Sequence, residues 1–228
     1  MSDHSDEGEA GQNRHDHGDH PDEDPDDHSD HSHDDHGHHH HDVSTIGAAV
    51  VTVSSTRSLD EDPAGDAIVA AFEGAGHETV TREMLRDSYD RIQESVESLA
   101  RRDDGDTVVT TGGTGVTPDD VTVEAAEDIF EKPLPGFGEL FRTLSYDEVG
   151  TRIVGTRATA GLVEGTPVFC LPGSENAARL GAEEIIVPEA PHLAGLATRD
   201  EEEEAGDEEK GGDAGHDQGH GAHEHDHD

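Results

Sequence analysis

The sequence contains no tryptophan, a single cysteine (Cys170), and only 14 lysines and arginines against 56 acidic residues. One cysteine excludes an intrachain disulfide and is typical of a reducing cytoplasm. The longest apolar run, residues 46–53, is too short to cross a bilayer, and the start MSDHSDEGEA lacks the basic and apolar regions of a signal peptide. These absences predict a soluble cytoplasmic protein.

The scarcity of positive charge excludes several classes of partner. The formal net charge is −42, and residues 43–199 contain only one lysine, Lys132. Such a surface repels nucleic acid and anionic membranes at ordinary salt. Molar salt shortens the Debye length to roughly 3 Å and screens this self-repulsion. The depletion of lysine therefore favours a salt-loving source over an acidic protein from an ordinary cytoplasm.

Charge and histidine divide the chain into three parts. Residues 43–199 carry 28 acidic and 12 basic residues, whereas residues 1–42 and 200–228 together carry 28 acidic and 2 basic residues and 17 of the 19 histidines. These two ends lack the apolar residues needed for folding, so we expect them to be disordered. Tracts such as His38–His41 are of the kind that bind Ni²⁺, Co²⁺, Cu²⁺ or Zn²⁺, although plain solvating arms explain them equally well.

The central part alternates between strand and helix patterns. Predicted strands are 46–53, 78–85, 107–111, 152–159 and 167–171; predicted helices are 66–75, 87–101, 121–130, 138–149 and 174–186. We expect Pro188 and Pro191 to lead out of the fold. This order predicts a doubly wound α/β domain with a mostly parallel sheet and helices on both faces. Ligands of such sheets bind outside the carboxyl ends of the strands.

One glycine-rich turn, TTGGTGVTPDD (residues 110–120), follows a predicted strand at such an end. Its glycines allow backbone N–H groups to approach an anion, and they tolerate positive φ. We expect a helix to begin here with Thr117 as N-cap, Pro118 at N1 and Asp120 at N3, which would add partial positive charge. Neither GxxxxGK[ST] nor GxGxxG is present. Taken alone, a turn without a ligand, with Asp119 and Asp120 as capping residues, explains the pattern equally well.

Three further segments accompany this turn: VVTVSSTR (50–57), PGFGELFRTLSYDEVGT with GTRATAG (135–161), and LPGSENAAR (171–179). In this order they resemble the MoaB/Mog family of molybdenum cofactor biosynthesis proteins. The resemblance implies a molybdopterin-binding domain assembled as a homotrimer or homohexamer. It also implies Mg²⁺-dependent transfer of AMP from ATP to molybdopterin with release of pyrophosphate, the product passing to a molybdate-insertion enzyme. A non-catalytic molybdopterin carrier is the alternative.

The resemblance also assigns site residues. Asp120 is the first choice for catalysis and for Mg²⁺, and Asp87 is the second. Arg86 replaces the proline that usually precedes the second aspartate, and Asp87 as a simple helix N-cap is an open alternative. The residues implied in cofactor binding are Thr111, Gly112, Gly113, Thr114, Gly115, Gly136, Glu139, Pro172, Gly173 and Ser174. For Ser174 the alternative is a helix N-cap, and Ser145 faces either this pocket or solvent.

Overall fold

The computed structural model describes residues 43–197. The predicted disordered ends and their histidine tracts lie outside these residues. The strands are β1 Gly47–Val53, β2 Glu78–Leu85, β3 Thr107–Thr111, β4 Lys132–Pro133, β5 Thr159–Val163 and β6 Thr166–Leu171. The helices are α1 Pro63–Gly74, α2 Tyr89–Ala100, α3 Thr122–Glu127, α4 Pro135–Val149, α5 Glu175–Gly181 and α6 Val187–Ala197.

The six strands form one sheet in the order β2-β1-β3-β6-β5-β4. Strands β2, β1, β3 and β6 run parallel, whereas β5 is antiparallel to β6 and β4 is antiparallel to β5. Every residue of β1 and β3 is buried, as expected for central strands that helices cover on both faces. The predicted doubly wound α/β class is confirmed.

Two apolar clusters cover the faces of the sheet. On one face α1, α4, α5 and α6 pack around three fully buried phenylalanines, Phe72, Phe141 and Phe169. On the other face Ile92 and Val96 of α2, together with α3, cover the opposite side chains of β1, β3 and β6. The two clusters hold the strands rigidly, so the loops at the strand ends have fixed anchors.

The predicted strand 152–159 is wrong. Residues Gly150–Gly155 form a 3-10 turn, and β5 begins only at Thr159. Ile153 and Val154 gave this segment a strand-like composition, but Val154 is 86% exposed and so has no sheet surface to cover. The short strand β4 was not predicted.

The predicted exit from the fold after residue 186 is also wrong. A π-helical turn, Ala182–Ile186, joins α5 to α6, and α6 continues to Ala197 with Pro191 inside it. Pro188 lies in the first turn of α6, where a missing N–H is tolerated. Ala190 and Ala194 are buried against the core, and this packing offsets the hydrogen bond that Pro191 cannot make. Within residues 43–197, no helix has the length and apolar character needed to cross a membrane.

Candidate functional site

A cleft of about 440 Å³ opens where the parallel strands β1, β2, β3 and β6 end. Each of these strands runs directly into a loop that contributes to the wall. The lining residues are Thr52–Arg57, Asp87, Thr111–Gly115, Asp120, Gly155, Thr156, Pro172 and Gly173. This is the edge at which open α/β sheets bind their ligands.

The glycine loop forms one wall of the cleft in a conformation that excludes side chains. Gly112 and Gly113 have φ values of 98° and 65°. A Cβ on Gly112 would lie 2.2 Å from the carbonyl oxygen of Val53, and a Cβ on Gly113 would lie 2.1 Å from Thr122 Oγ1. Both positions therefore require glycine for space as well as for conformation.

The loop leaves backbone N–H groups available. The Gly112 amide donates to the carbonyl of Leu171 at 3.0 Å, so it is occupied. The amides of Gly113 and Thr114 have no acceptor among residues 43–197. The Gly113 carbonyl accepts from the Thr122 amide at 3.0 Å. Because C=O and N–H point in opposite directions across a trans peptide, the Thr114 amide faces away from α3.

Asp120 lies in a turn, and the predicted helix start at Thr117 is wrong. α3 begins at Thr122, whereas residues 117–120 form a turn closed by a hydrogen bond from the Asp120 amide to the Thr117 carbonyl at 3.0 Å. The Asp120 carboxylate oxygen Oδ2 accepts from Thr117 Oγ1 at 2.6 Å and from the Thr117 amide at 2.8 Å. The hydroxyl and amide of Thr117 and the amide of Asp120 therefore all have acceptors within the turn. The turn is stable without being part of a helix.

The same contacts keep Asp120 ionised. The hydrogen bond from the Thr117 hydroxyl lowers the pKa of Asp120 against the opposing effect of partial burial, and backbone amides of Thr117 and Gly115 and the charge of Arg157 lower it further. Among the described residues no donor contacts the other carboxylate oxygen, Oδ1.

Asp87 is not the N-cap of α2, because Ser88 holds that position. Its Oδ2 accepts from Ser55 Oγ at 2.6 Å, which ties the loop after β2 to the loop after β1. A Cβ placed on Gly113 would be 3.5 Å from Asp87 Oδ1, and one on Gly115 would be 2.7 Å from Asp120 Oδ2. The two carboxylates thus flank the glycine loop.

The two carboxylates suit Mg²⁺ better than a metal whose coordination shell consists entirely of protein ligands. Each has one oxygen that no described residue engages, and Mg²⁺ binds through one or two carboxylates while waters and phosphate oxygens complete its shell. Within residues 43–197 no group of three or more His, Cys, Asp or Glu side chains is arranged around a common point.

A second cavity of about 690 Å³ adjoins the first and shares Thr156 and Pro172 with it. Its apolar lining residues include Phe141, Val149, Ile153 and Leu180, and an equal number of polar residues, among them Glu148 and Glu175, completes the wall. Ser145 lines it as well; its hydroxyl oxygen is buried and has no partner in the described chain. The structure thus turns Ser145 inward rather than toward solvent.

The remaining predicted residues lie apart from the first cleft. Ser174 lines the second cavity, and it also caps α5 by accepting from the Ala177 amide at 3.4 Å. Glu139 lies in a third depression, beside Glu124 and Arg142. Gly136 occupies the exposed first turn of α4, where a Cβ would meet nothing within 4 Å.

Two arginines at the site were not assigned from the sequence. Among residues 43–197, Arg57 is the one cationic side chain that lines the first cleft, and its Nη1 donates to the Gly173 carbonyl at 3.1 Å. Arg157 lies behind the glycine loop and contacts three of its carbonyls. Arg57 lies in the segment VVTVSSTR and Arg157 in the segment GTRATAG. Their positive charge in a strongly acidic chain was the signal that could have identified them.

The fold and cleft together define a class: an α/β domain that presents glycine-loop amides and two carboxylates at the carboxyl edge of a parallel sheet, as phosphate-binding domains do. The family described as "probable molybdopterin binding domain" matches residues 49–192. The chain belongs to this family, within its MoaB/Mog group.

The similarity to individual proteins covers the same part of the chain. Molybdenum cofactor biosynthesis protein B of Bacillus subtilis is 42% identical over 145 residues, which is 63% of this chain and 85% of that protein. The crystal structure of the tungsten cofactor synthesizing protein MoaB from Pyrococcus furiosus superimposes with a TM-score of 0.62 at 38% identity, covering 68% of this chain and 98% of that chain. A crystal structure of a molybdenum cofactor biosynthesis protein B has a TM-score of 0.66 at 36% identity, covering 68% and 97%.

Proposed function

We propose that this protein acts in molybdenum cofactor biosynthesis as a Mg²⁺- and ATP-dependent molybdopterin adenylyltransferase. The observation that carries the proposal is the pair of adjoining cavities in a chain of the molybdopterin-binding family. One cavity offers amides and carboxylates suited to a metal-bound triphosphate. Its neighbour combines apolar side chains with polar groups, a lining suited to a flat heterocycle that carries hydrogen-bonding atoms.

The triphosphate of ATP occupies the first cleft in this proposal. The amides of Gly113 and Thr114 donate to phosphate oxygens, and Arg57 supplies the positive side chain. Asp120 and Asp87 would hold Mg²⁺ through the carboxylate oxygens that no described residue engages. Bound there, the metal would neutralise negative charge on the phosphates and help to orient them.

The pterin occupies the second cavity. Phe141, Ile153 and Leu180 would contact its ring, and the Ser145 hydroxyl, which has no protein partner, would bond to a ring nitrogen or oxygen. Thr156 and Pro172 belong to both cavities, so the terminal phosphate of the pterin would lie beside the triphosphate. Holding the two reactants in contact is the main source of rate in such a reaction.

The reaction needs no protein base. An oxygen of the pterin phosphate forms a bond to the α-phosphorus of ATP, and the bond from that phosphorus to the bridging oxygen breaks, which releases pyrophosphate. A phosphate monoester loses its second proton near pH 6, so the attacking oxygen is already ionised at neutral pH. Accordingly, neither histidine within residues 43–197 lines the cleft, and His77 Nδ1 accepts from the Ile46 amide at 3.2 Å.

The decisive experiment measures pyrophosphate release from ATP and molybdopterin by the full chain in concentrated KCl. Asp120→Asn keeps the size of the side chain and removes its charge, and we expect a loss of about 10²-fold or more in kcat. Asp119→Asn is the matched control, because Asp119 is the exposed neighbour and does not line the cleft. A folded Asp120→Asn protein with near-normal turnover would show that the metal role is misassigned.

The same assay separates the enzyme from a non-catalytic carrier. A carrier would bind molybdopterin, measured by calorimetry, without forming the adenylylated product at any ATP concentration. The enzyme yields one pyrophosphate for each pterin consumed. Handover of the product to a molybdate-insertion enzyme is the next step of the proposal, and consumption of the adenylylated pterin by that enzyme tests it.

Self-association and metal binding by the ends complete the proposal. Tyr146, Val149 and Val154 expose apolar surface on and just beyond the end of α4, which suits a homotrimer or homohexamer. Light scattering after size exclusion measures the assembly. For the histidine-rich ends, titration of the full chain with Zn²⁺ or Ni²⁺ should show tight sites that are lost when His38–His41 are replaced by asparagine.

A further inference from the structure

Arg157 makes an unusual set of contacts with the loop that forms the cleft wall. Its amide donates to the Thr114 carbonyl at 3.3 Å, its Nε donates to the Gly115 carbonyl at 2.8 Å, and its Nη2 donates to the Asp120 carbonyl at 3.0 Å. Its Nη1 pairs with the Glu124 carboxylate of α3. Arg157 does not itself line the first cleft.

These contacts determine which way the loop amides point. In a trans peptide the N–H of the next residue is directed opposite to the carbonyl. Because the carbonyls of Thr114 and Gly115 face Arg157, the amides of Gly115 and Val116 face away from it. The Gly115 amide is thereby turned toward the Asp120 carboxylate, whose Oδ2 lies close to Gly115.

Arg157 also fixes the position of Asp120. Asp120 lies in a turn rather than a helix, so its backbone has no helical ladder to hold it. Its carbonyl is held by Arg157 Nη2 at 3.0 Å, and its carboxylate is held by the hydroxyl and amide of Thr117. Arg157 is the contact that ties this turn to a distant part of the chain, since it lies 37 residues beyond Asp120.

We infer that Arg157 is the positioning residue of the cleft: it holds the carbonyls of residues 114, 115 and 120 on its own side of the loop, and so fixes the Gly115 amide against the Asp120 carboxylate and the backbone of Asp120 beside the cleft. The consequence for turnover rests on the proposed function, whereas the effect on the loop does not. Lysine cannot replace it, because one ammonium lacks the planar fork that spans Gly115, Asp120 and Glu124 together.

The test uses the full chain in concentrated KCl and compares Arg157→Ala and Arg157→Lys with Arg142→Ala. Arg142 is a matched control because it lines the same depression as Arg157, but its side chain makes no hydrogen bond or ion pair within residues 43–197. Hydrogen exchange of peptides spanning residues 112–121, measured without ligand, reports on the loop alone. Steady-state kinetics report on the reaction.

We expect exchange in residues 112–121 to be at least about tenfold faster in both Arg157 variants, and unchanged in Arg142→Ala. We expect kcat to fall by about 10²-fold, because a displacement of Asp120 by about 1 Å would lower the rate by about that factor. We also expect KM for Mg-ATP to rise. KM for the pterin should stay within about threefold, because Arg157 does not line the second cavity. Free guanidinium should restore part of the lost rate to Arg157→Ala.

The outcomes separate this inference from the proposed function. Wild-type exchange and kinetics in Arg157→Ala would overturn the inference and leave the adenylyltransferase proposal intact. So would full activity in Arg157→Lys, because the fork would then be unnecessary. The third outcome combines two results: Arg157→Ala exchanges faster in the loop, while the wild-type protein forms no adenylylated pterin. That combination would support the positioning role and refute the proposed reaction.

Discussion

Replacing Asp62 by alanine tests the buried network behind the cleft. Asp62 is 1% exposed and its carboxylate accepts from Thr52 Oγ1 at 2.6 Å, from the Gly65 amide at 3.0 Å and from Arg82 Nη2 at 2.9 Å. It caps α1, and Thr52 lines the first cleft. The alanine variant leaves all three donors without this acceptor.

The cost can be worked out donor by donor. Loss of the cap at Gly65 costs about 1 kcal/mol, and a buried Thr52 hydroxyl without a partner costs about 1–3 kcal/mol. Arg82 is discounted because it is a quarter exposed and keeps its bond to Asp66 at 2.7 Å. The total is about 2–4 kcal/mol, which overlaps the range of about 3–5 kcal/mol observed when one partner of a buried pair is removed. This is a large part of the 5–15 kcal/mol that stabilises a typical domain.

Chemical unfolding at a fixed high salt concentration measures this loss. Asp66→Ala is the matched control, because Asp66 pairs with the same arginine but is 64% exposed, and it should cost less than about 1 kcal/mol. If the two variants differ by less than about 1 kcal/mol, the buried network does not stabilise the domain as we describe.

The contribution of Asp62 also depends on pH. Burial alone raises the pKa of Asp62, but the bonds from Thr52, Gly65 and Arg82 outweigh burial and bring the pKa below its usual value. Its stabilisation is therefore complete above the unfolded pKa of about 3.9 and is lost as the pH falls further through the folded pKa. Wild-type stability should decline in that acid range more steeply than that of Asp62→Ala.

Three further predictions follow from single features. Gly113→Ala should destabilise the domain by about 1–2 kcal/mol or more, because φ is positive and Thr122 Oγ1 blocks the Cβ. Gly136→Ala is the control and should be neutral or slightly stabilising, and urea unfolding compares the two variants. Cys170 should resist thiol reagents at pH 8 until the protein unfolds, because burial raises its pKa to about 12; a native thiol that reacts at once would contradict this. The melting temperature should rise between roughly 0.2 M and roughly 3 M KCl as the charge of −42 is screened, and a flat profile would count against adaptation to salt.

The parts of the fold that were predictable are those specified by local sequence. β2 and β3 occur at the predicted residues, and β1, a continuous apolar run bounded by a polar turn, differs from its prediction by one residue. The cleft was predictable for the same reason. It lies where parallel strands end, and the glycine loop at residues 112–115 follows one of these strands.

The parts that were missed depend on contacts between distant residues. The start of α3 is an exception, because a local contact decides it: Asp120 accepts from both donors of Thr117, three residues earlier, and α3 begins only at Thr122. The local sequence predicts a helix end at Pro191. The helix α6 nevertheless continues beyond Pro191, because Ala190 and Ala194 are buried against the core. The role of Arg157 requires knowing that the segment just before β5 returns to the glycine loop, where the Arg157 amide donates to the Thr114 carbonyl.

The acidic surface and the choice of binding groups have a common physical reason. In molar salt the Debye length is roughly 3 Å, so a basic cleft would gain little from attracting phosphates over a distance. Hydrogen bonds from backbone amides act only at contact and are screened much less. The first cleft matches this condition: its wall presents the amides of Gly113 and Thr114, and Arg57 is its one cationic lining residue in the part of the chain that the structure describes. Arg157 fits the same scheme, because it acts through carbonyls at contact distance and not through its field. In the function we propose, a cleft built from such short contacts would bind phosphate in a chain whose net charge otherwise repels it.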